Sequence, residues 1–307
     1  MKQPDLENRP RTFALALGGG GARGLAHIAI LEVLDELGVK PVVIAGSSIG
    51  AAIGAVYAAG MSGKDMRRYV TTLLQNRGEV LRRLMSARAA PGLSGLLTGF
   101  GNPMLLDAQK FCETFLPPRL PAEIEALPLP LLVVVTDLYG RSETLLSAGP
   151  LQRALAASLA VPGLLRPIEI DGRVLVDGAA VNPLPFDCLR GRADVVVAVD
   201  TSIGPTMPRG VPDPWDALFS TIQVMGDTIT AEKLKHGAPD LLLRPPVGGF
   251  RLLDFPRASA ILRATDSIKA EAKAKLIEVL GLDLHSSAST ADGKATRALS
   301  PPAGEGR

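Results

Sequence analysis

The chain has 307 residues, of which 47% are apolar and 21% are charged, so it is large enough for a folded core and unlike a disordered chain. The 33 basic and 31 acidic residues give a net charge of +2, which excludes a global electrostatic footprint for nucleic acid, and no nucleic-acid partner is expected. Two cysteines, Cys112 and Cys188, outside any Cys-x-x-Cys pattern exclude a disulfide scaffold and a cysteine-rich zinc site.

The first ten residues are polar and include two prolines, with none of the apolar stretch that a signal peptide carries. A transmembrane helix needs about 20 mainly apolar residues, and no segment meets that requirement. We therefore expect a cytoplasmic protein.

Six short apolar runs predict β-strands. Most are continuously apolar, which is typical of strands in parallel sheets that are covered on both faces. Between the first two runs, apolar residues keep a helical spacing from Ile30 to Leu37, and Gly38 is placed to end that helix. The alternation of strands and helices predicts an α/β fold with a mainly parallel sheet. The runs are Phe13–Leu17, Val42–Ala45, Leu131–Thr136, Val174–Val176, Val195–Val199 and Leu241–Leu243.

Four consecutive glycines, Gly18–Gly21, follow the first predicted strand and precede the first helix. With Gly24 they satisfy the G-x-G-x-x-G spacing of dinucleotide-binding loops. Such a loop presents backbone N–H groups at a helix N-terminus, so it suits a pyrophosphate or a transient oxyanion. A dinucleotide site also needs a carboxylate after the next strand, and there is none between Glu36 and Asp65. The run favours a functional loop, because a simple turn does not require so many glycines.

A second motif lies between the second predicted strand and a helix rich in glycine and alanine. Residues 46–50 read Gly-Ser-Ser-Ile-Gly and fit G-x-S-x-G, the pattern of a nucleophile elbow. The elbow serine occupies a strained turn, and the flanking glycines remove side chains that would clash. The spacing to Gly46 and Gly50 selects Ser48 over Ser47 as the candidate nucleophile.

A serine nucleophile needs a base, and the three histidines are poor candidates. His27 lies in the first helix, where a packed structural role is favoured. His236 stands beside a helix end, and His285 begins the C-terminal tail. A carboxylate therefore has to be considered as the direct base.

Three aspartates end predicted strands: Asp137, Asp177 and Asp200. In a parallel sheet each is placed to point toward the same carboxyl edge. Gly178 follows Asp177 and permits the close approach of another backbone or of a substrate. For the other two aspartates, helix capping or turn formation is the favoured interpretation. The residues alone do not separate the three cleanly.

These motifs together resemble those of the patatin-like phospholipases. The resemblance covers residues 13–191 and rests on the glycine loop Gly19–Gly24, the elbow Gly46–Gly50 and the turn Asp177–Ala179. The pair Ala157-Ser158 also looks familial. The resemblance implies a three-layer α/β fold in which helices flank a mainly parallel central sheet.

By this resemblance, Ser48 is the nucleophile and Asp177 the base of a Ser-Asp dyad. The backbone N–H groups of Gly19, Gly20 and Gly21 form the oxyanion hole. The activity implied is hydrolysis of carboxylic esters of phospholipids or lysophospholipids, with no metal and no cofactor. Two alternatives stay open: a nucleotide- or phosphate-binding protein that uses the glycine loop, and a non-enzymatic regulator on the same fold. The other motif and substrate-loop positions are Arg23, Gly24, Gly46, Gly50 and Gly178.

We expect a catalytic core over residues 12–191 and a C-terminal part of the same α/β domain over residues 192–283. Serine, alanine, glycine, threonine and proline dominate residues 284–307, which are predicted to be a disordered tail. Arg23 is expected either to meet a lipid phosphate or, with slight preference, to fix the glycine turn through a salt bridge.

Residues 62–106 look inserted and are predicted to form a lid-like, lipid-facing surface. A helical stretch with seven Lys/Arg and two Asp/Glu is followed by an uncharged run rich in proline and glycine. Basic charge and apolar area are the two ingredients of peripheral binding to anionic membranes. The cations expected to face the membrane are Arg67, Arg68, Arg82 and Arg83.

Overall fold

The computed structural model describes residues 9–75, 77–87, 106–204 and 210–282. Eight strands form one sheet in the order β5-β6-β3-β2-β1-β7-β8, with β4 paired to β3. The strands are β1 (Phe13–Leu17), β2 (Val43–Ser47), β3 (Leu131–Asp137), β4 (Ser142–Leu146), β5 (Ile168–Ile170), β6 (Arg173–Asp177), β7 (Val195–Val199) and β8 (Leu241–Leu243). The helices are α1 (His27–Leu37), α2 (Ile49–Ala58), α3 (Gly63–Gln75), α4 (Arg77–Ser86), α5 (Ala108–Phe115), α6 (Leu151–Ser158), α7 (Pro214–Lys235), α8 (Ala258–Ala264) and α9 (Lys269–Leu280).

All six predicted strands are present, with ends that differ by two residues at most. Strands β4 and β5 were not predicted from the sequence. Both carry partly exposed residues and a glutamate, so they lack the continuous apolar signal of the central strands.

The parallel part of the sheet runs from β3 through β2, β1 and β7 to β8 at one edge, and these strands all pair in the same direction. The remaining pairs, which involve β4, β5 and β6, are antiparallel. The continuous apolar runs correspond to the central strands, since β1, β2 and β7 are buried along their whole length.

The two faces of the sheet carry hydrophobic clusters of different size. Strand β1 places Phe13, Leu15 and Leu17 in the larger cluster, which α1, α2, α6, α8 and α9 complete. It places Ala14 and Ala16 in a smaller cluster on the opposite face. Side chains alternate between faces along a strand, so one run of five residues serves both cores.

Strands β2 and β6 meet end to end along one edge of β3. Strand β2 pairs with the first half of β3 and β6 with the second half, whereas the register of β4 overlaps both and therefore occupies the opposite edge. Strand β2 runs parallel to β3 and β6 antiparallel, so their carboxyl ends face each other. Ser47 pairs with Val134 and Asp177 with Val135. Asp177 thus reaches the elbow from an antiparallel strand, and not from the parallel arrangement that the sequence suggested.

Strands β7 and β8 join residues of the predicted C-terminal part to the same sheet as the predicted core, since β7 pairs with β1. The predicted tail, residues 284–307, lies outside the described residues, and so does most of the uncharged run of the insertion, residues 89–105. Within the ranges described, no helix combines the length and the apolar character needed to cross a bilayer.

Helices α3 and α4 form the described start of the predicted insertion. Arg67 does not face outward: its guanidinium donates to both carboxylate oxygens of Glu32, at 2.6 and 2.8 Å, and to Asp266 at 2.7 Å. The Glu32 side chain is 3% exposed. The expectation that Arg67 belongs to a membrane-facing surface is therefore wrong, because this residue ties α3 to α1. Arg68 and Arg82 are exposed and pair with acidic residues on their own helices.

Candidate active site

Ser48 stands at the turn between β2 and α2 in a strained conformation. Its φ is 54° and its ψ is −126°, in a region that non-glycine residues rarely adopt. The flanking glycines are needed for close packing. A Cβ at Gly46 would lie 2.5 Å from the backbone nitrogen of Ala51, and one at Gly50 would lie 2.2 Å from the carbonyl oxygen of Leu17. The local structure is that of a nucleophile elbow.

The hydroxyl of Ser48 donates a hydrogen bond to Oδ2 of Asp177 at 2.6 Å. The other carboxylate oxygen, Oδ1, accepts from the backbone N–H of Ala179 at 2.8 Å. Ser48 and Asp177 are each 5% exposed, so the pair lies in a largely dry environment. Both oxygens of the carboxylate are thereby oriented, one toward the serine and one toward its own turn.

Burial raises the pKa of Asp177 from its ordinary 3.8 to about 6, and the hydrogen bonds from Ser48 and Ala179 oppose this rise. At pH 7 the group is mostly ionised but binds a proton far more readily than an exposed aspartate does. That combination suits a general base, which must be ionised at working pH and still accept a proton.

Gly178 allows the Asp177 turn to rest on β3. A Cβ at Gly178 would lie 2.2 Å from the carbonyl oxygen of Val134. The backbone of Asp177 is fixed on both sides: its carbonyl accepts from the Thr136 hydroxyl at 2.8 Å, and its N–H donates to the carbonyl of Ala160 at 3.1 Å. A larger residue at position 178 would lift the carboxylate away from Ser48.

The glycine loop lies against Ser48, since a Cβ at Gly19 would be 3.6 Å from the Cβ of Ser48. The Gly19 N–H already donates to the carbonyl of Pro183 at 2.8 Å, so this donor is occupied, contrary to the expected three-glycine oxyanion hole. Among the hydrogen bonds of the described residues, none uses the N–H groups of Gly20 and Gly21. Both have positive φ, 148° and 56°.

Two side chains hold the glycine loop through hydrogen bonds to its backbone carbonyls. His27 is fully buried and its Nε2 donates to the carbonyl of Gly18 at 2.8 Å. Burial lowers the pKa of His27 to about 4, so the ring is neutral at pH 7 and serves as a structural donor. The Thr201 hydroxyl donates to the carbonyl of Gly19 at 2.6 Å.

Gly24 closes the contact between the loop and the elbow. A Cβ at this position would lie 2.2 Å from Cγ2 of Ile49, the residue directly after Ser48. Arg23 is 2% exposed, and its Nε donates to the carbonyl of Gly20 at 3.3 Å. Burial lowers the pKa of Arg23, against the opposing effect of Asp227 and Asp200. The described contact of Arg23 with the loop is thus a hydrogen bond to a carbonyl, where a salt bridge was expected.

The other two candidate aspartates have structural contacts. Asp137 closes the turn between β3 and β4, where its Oδ1 accepts from the backbone N–H groups of Tyr139 and Gly140. Asp200 accepts from the N–H of Ser202 at 2.9 Å and from Arg244 at 3.1 Å.

Neither described histidine is bonded to the elbow serine. His236 ends α7, is exposed and lies 3.3 Å from Glu232, while the ring of His27 supports the loop. His285 lies outside the described residues.

Ser158 is a positioning residue that the sequence did not assign. Its hydroxyl accepts from the backbone N–H of Ser48 at 2.9 Å and donates to the carbonyl of Val134 at 2.7 Å. It is fully buried at the end of α6. The Ala-Ser pair was visible in the sequence, but no local pattern reveals a contact across 110 positions.

Ser158→Ala leaves the buried N–H of Ser48 and the buried carbonyl of Val134 without this partner. We expect a loss of stability of about 1–3 kcal/mol and a fall in kcat of roughly tenfold with little change in KM, because the elbow is loosened and not the substrate contacts. Steady-state kinetics and thermal melting measure both. Ser86→Ala is the control, since that hydroxyl also donates to a backbone carbonyl, that of Arg83, but is exposed. Wild-type kcat with only a lower melting temperature contradicts the positioning role.

Fold and site together describe an α/β protein whose strained serine meets a buried aspartate beside a glycine loop. The sequence model of the patatin-like phospholipase family matches residues 15–189, more than half of the chain. The chain therefore belongs to the patatin-like phospholipase family, as the sequence motifs predicted.

The chain is similar to parts of longer proteins. An uncharacterized NTE family protein of Mycobacterium tuberculosis is 40% identical over 187 residues, which are 61% of this chain and 48% of that protein. Patatin-like phospholipase domain-containing protein 6 of Homo sapiens is 33% identical over 281 residues, covering 81% of this chain and 19% of that protein. The chain thus spans about half of the first relative and about a fifth of the second. Among solved structures, VipD from Legionella pneumophila has a TM-score of 0.49 and 15% identity, covering 88% of this chain and 67% of that one.

Proposed function

We propose that this protein is a serine hydrolase that cleaves carboxylic esters of phospholipids or lysophospholipids. The observation that carries the proposal is the 2.6 Å hydrogen bond from the Ser48 hydroxyl to the buried carboxylate of Asp177. Membership of the patatin-like phospholipase family supports a lipid ester as the substrate class. We propose a cytoplasmic protein that reaches its substrate at a membrane surface.

In the acylation step, Oγ of Ser48 attacks the ester carbonyl carbon while Oδ2 of Asp177 takes the hydroxyl proton. The carbonyl oxygen becomes an oxyanion, and the N–H groups of Gly20 and Gly21, which make no hydrogen bond within the described residues, donate to it. A donor of this kind contributes about 3 kcal/mol to the transition state in comparable sites. Protonated Asp177 then gives its proton to the departing alcohol or lysolipid oxygen, which leaves the acyl group on Ser48.

In the deacylation step, Asp177 accepts a proton from water as that water attacks the acyl carbonyl carbon. The same glycine donors face the second oxyanion. The tetrahedral intermediate collapses, the proton on Asp177 returns to Oγ of Ser48, and the fatty acid is released. The raised pKa of about 6 makes Asp177 a better proton acceptor than an ordinary aspartate, and it is still low enough for the proton to be given back at each collapse step.

A fluorophosphonate probe tests this proposal. We expect it to label Ser48, and we expect the labelling rate to rise with pH through about 6, because attack requires the Asp177 carboxylate in its ionised form. Peptide mass mapping locates the label, and His236→Ala serves as the control because His236 is exposed on α7. Labelling at another residue, or a rate that does not change between about pH 5 and pH 7, contradicts the dyad.

The nucleotide-binding alternative finds less support. Strand β2 ends at Ser47 without the carboxylate that holds a ribose. Two of the four glycine N–H groups, those of Gly18 and Gly19, donate to carbonyls of the protein itself. Stabilisation of the chain by a nucleotide in thermal melting, without fluorophosphonate labelling, favours that alternative. If the protein is not labelled by the probe and does not hydrolyse esters, the result favours the non-enzymatic regulator.

A further inference from the structure

Helix α7 lies over the segment that carries the candidate base. It packs against the turn at residues 178–180, and a Cβ at Gly226 would be 3.4 Å from the Pro183 side chain. Near its N-terminus, the side chains of Trp215 and Leu218 lie 3.5 and 3.6 Å from the Cβ position of Gly163. The helix thus extends from the loop after α6 across the segment that follows Asp177.

The two aspartates in the first four turns of α7 each interact with an arginine of the protein. Asp216 accepts from Arg251 at 2.9 Å, and Asp227 lies close enough to Arg23 for the two charges to interact. Between Pro214 and Ala231 these two aspartates are the charged residues. Further along, Lys233 donates to Asp187 at 2.7 Å.

The outward face of the first three turns carries four exposed apolar side chains, with the uncharged Ser220 and Thr221 between them. Residues 217–226 contain no charged side chain. The exposed fraction is 51% for Trp215, 42% for Leu218, 64% for Val224 and 59% for Met225. A helix that faces water shows the opposite pattern, with its charges outward.

Two neighbouring segments extend this surface. Val211, just before α7, is 99% exposed, and Leu253 is 42% exposed. Leu253 follows Leu252, whose carbonyl oxygen would lie 2.3 Å from a Cβ at Gly21 of the glycine loop. Six of the eleven large apolar side chains exposed in the described residues belong to this surface. We call it the α7 face: Val211, Trp215, Leu218, Val224, Met225 and Leu253.

We propose that the α7 face docks on the surface of a lipid bilayer; this deepens the proposed function and rests on it. The charges argue for this occupant, because an uncharged stretch of helix whose flanking aspartates are each matched by an arginine complements hydrocarbon better than it complements a charged partner. A tryptophan beside leucine and methionine is typical of a helix that lies in the membrane interface. A lipid ester also has to reach Ser48, which is 5% exposed, and α7 packs against the turn that follows its partner Asp177.

The single tryptophan of the chain, Trp215, makes the test direct. The full chain is mixed with phosphatidylcholine vesicles, and co-sedimentation and tryptophan emission are recorded at low and high salt. We expect binding that persists in high salt and a blue shift of the emission, because apolar insertion is not screened. Leu218→Ser with Met225→Ser is expected to weaken partitioning about tenfold or more. Far-UV circular dichroism and thermal melting confirm that this variant is folded.

Leu81→Ser with Met85→Ser is the matched control, since these exposed α4 side chains lie in the predicted insertion. We expect this variant to bind vesicles as the wild type does. Loss of binding here with retention in the α7 variant overturns the proposal and moves the surface to the insertion. If the wild type does not bind vesicles but forms a dimer that the α7 substitutions dissociate, a second copy of the chain covers the α7 face. That result also overturns the proposal. Ser48→Ala is expected to bind vesicles normally, so failure of the proposed chemistry and failure of docking are separate results.

Discussion

Ser48→Ala is expected to reduce ester hydrolysis by roughly 10⁴-fold or more, because no other group stands where Oγ lies, 2.6 Å from the Asp177 carboxylate. The fold should survive, since alanine fits the space and the glycines that shape the elbow are unchanged. Hydrolysis of p-nitrophenyl butyrate measures the loss, and thermal melting confirms that the variant is folded. Fatty-acid release from phosphatidylcholine and lysophosphatidylcholine extends the measurement to lipids.

Ser267→Ala is the control for this experiment, because that hydroxyl donates to a nearby helix carbonyl on the surface. It should leave the hydrolysis rate within about twofold, as surface substitutions usually do. A Ser48→Ala protein that hydrolyses the ester at the wild-type rate contradicts the nucleophile assignment. In that case Ser47 becomes the candidate nucleophile, since its hydroxyl is fully buried and has no hydrogen-bond partner in the described residues.

The sequence predicts best where local constraints are strong. The central strands are buried on both faces, so their apolar runs are continuous and their positions could be read directly. The elbow was predictable for a similar reason: a serine at positive φ with backbone packed on both sides permits only glycine at Gly46 and Gly50. In both cases the pattern lies within a few residues and follows from sterics.

Contacts between distant segments left no such pattern. The meeting of β2 and β6 depends on a register along β3, and the support of Ser48 by Ser158 joins residues 110 positions apart. The basic charge of α3 suggested an exposed face, yet Arg67 is drawn inward by Glu32 on α1. A charge pattern shows the sign of a residue but not its partner, and the partner decides where the side chain lies.

Asp177→Asn is expected to separate function from stability. Activity should fall by orders of magnitude, because an amide cannot take the proton from Ser48. Stability at pH 7.5 should rise, because the folded protein raises the pKa of this carboxyl from 3.8 to about 6. The folded state therefore binds the proton more tightly than the unfolded state, and the wild type loses stability as pH rises through that interval. The difference corresponds to about 3 kcal/mol, or several degrees in melting temperature.

The pH dependence identifies the cause. Below about pH 4 the carboxyl is protonated in both states, so the advantage of the Asn variant should shrink toward zero as pH falls from 7.5 to 4. Asp137→Asn is the control, since this aspartate closes an exposed turn, and it should keep the activity of the wild type. A stability gain that does not vary with pH points to packing instead of a buried charge. An active Asp177→Asn protein together with an inactive His236→Ala protein replaces the dyad with a histidine-dependent mechanism, and the raised pKa of Asp177 then reflects burial alone.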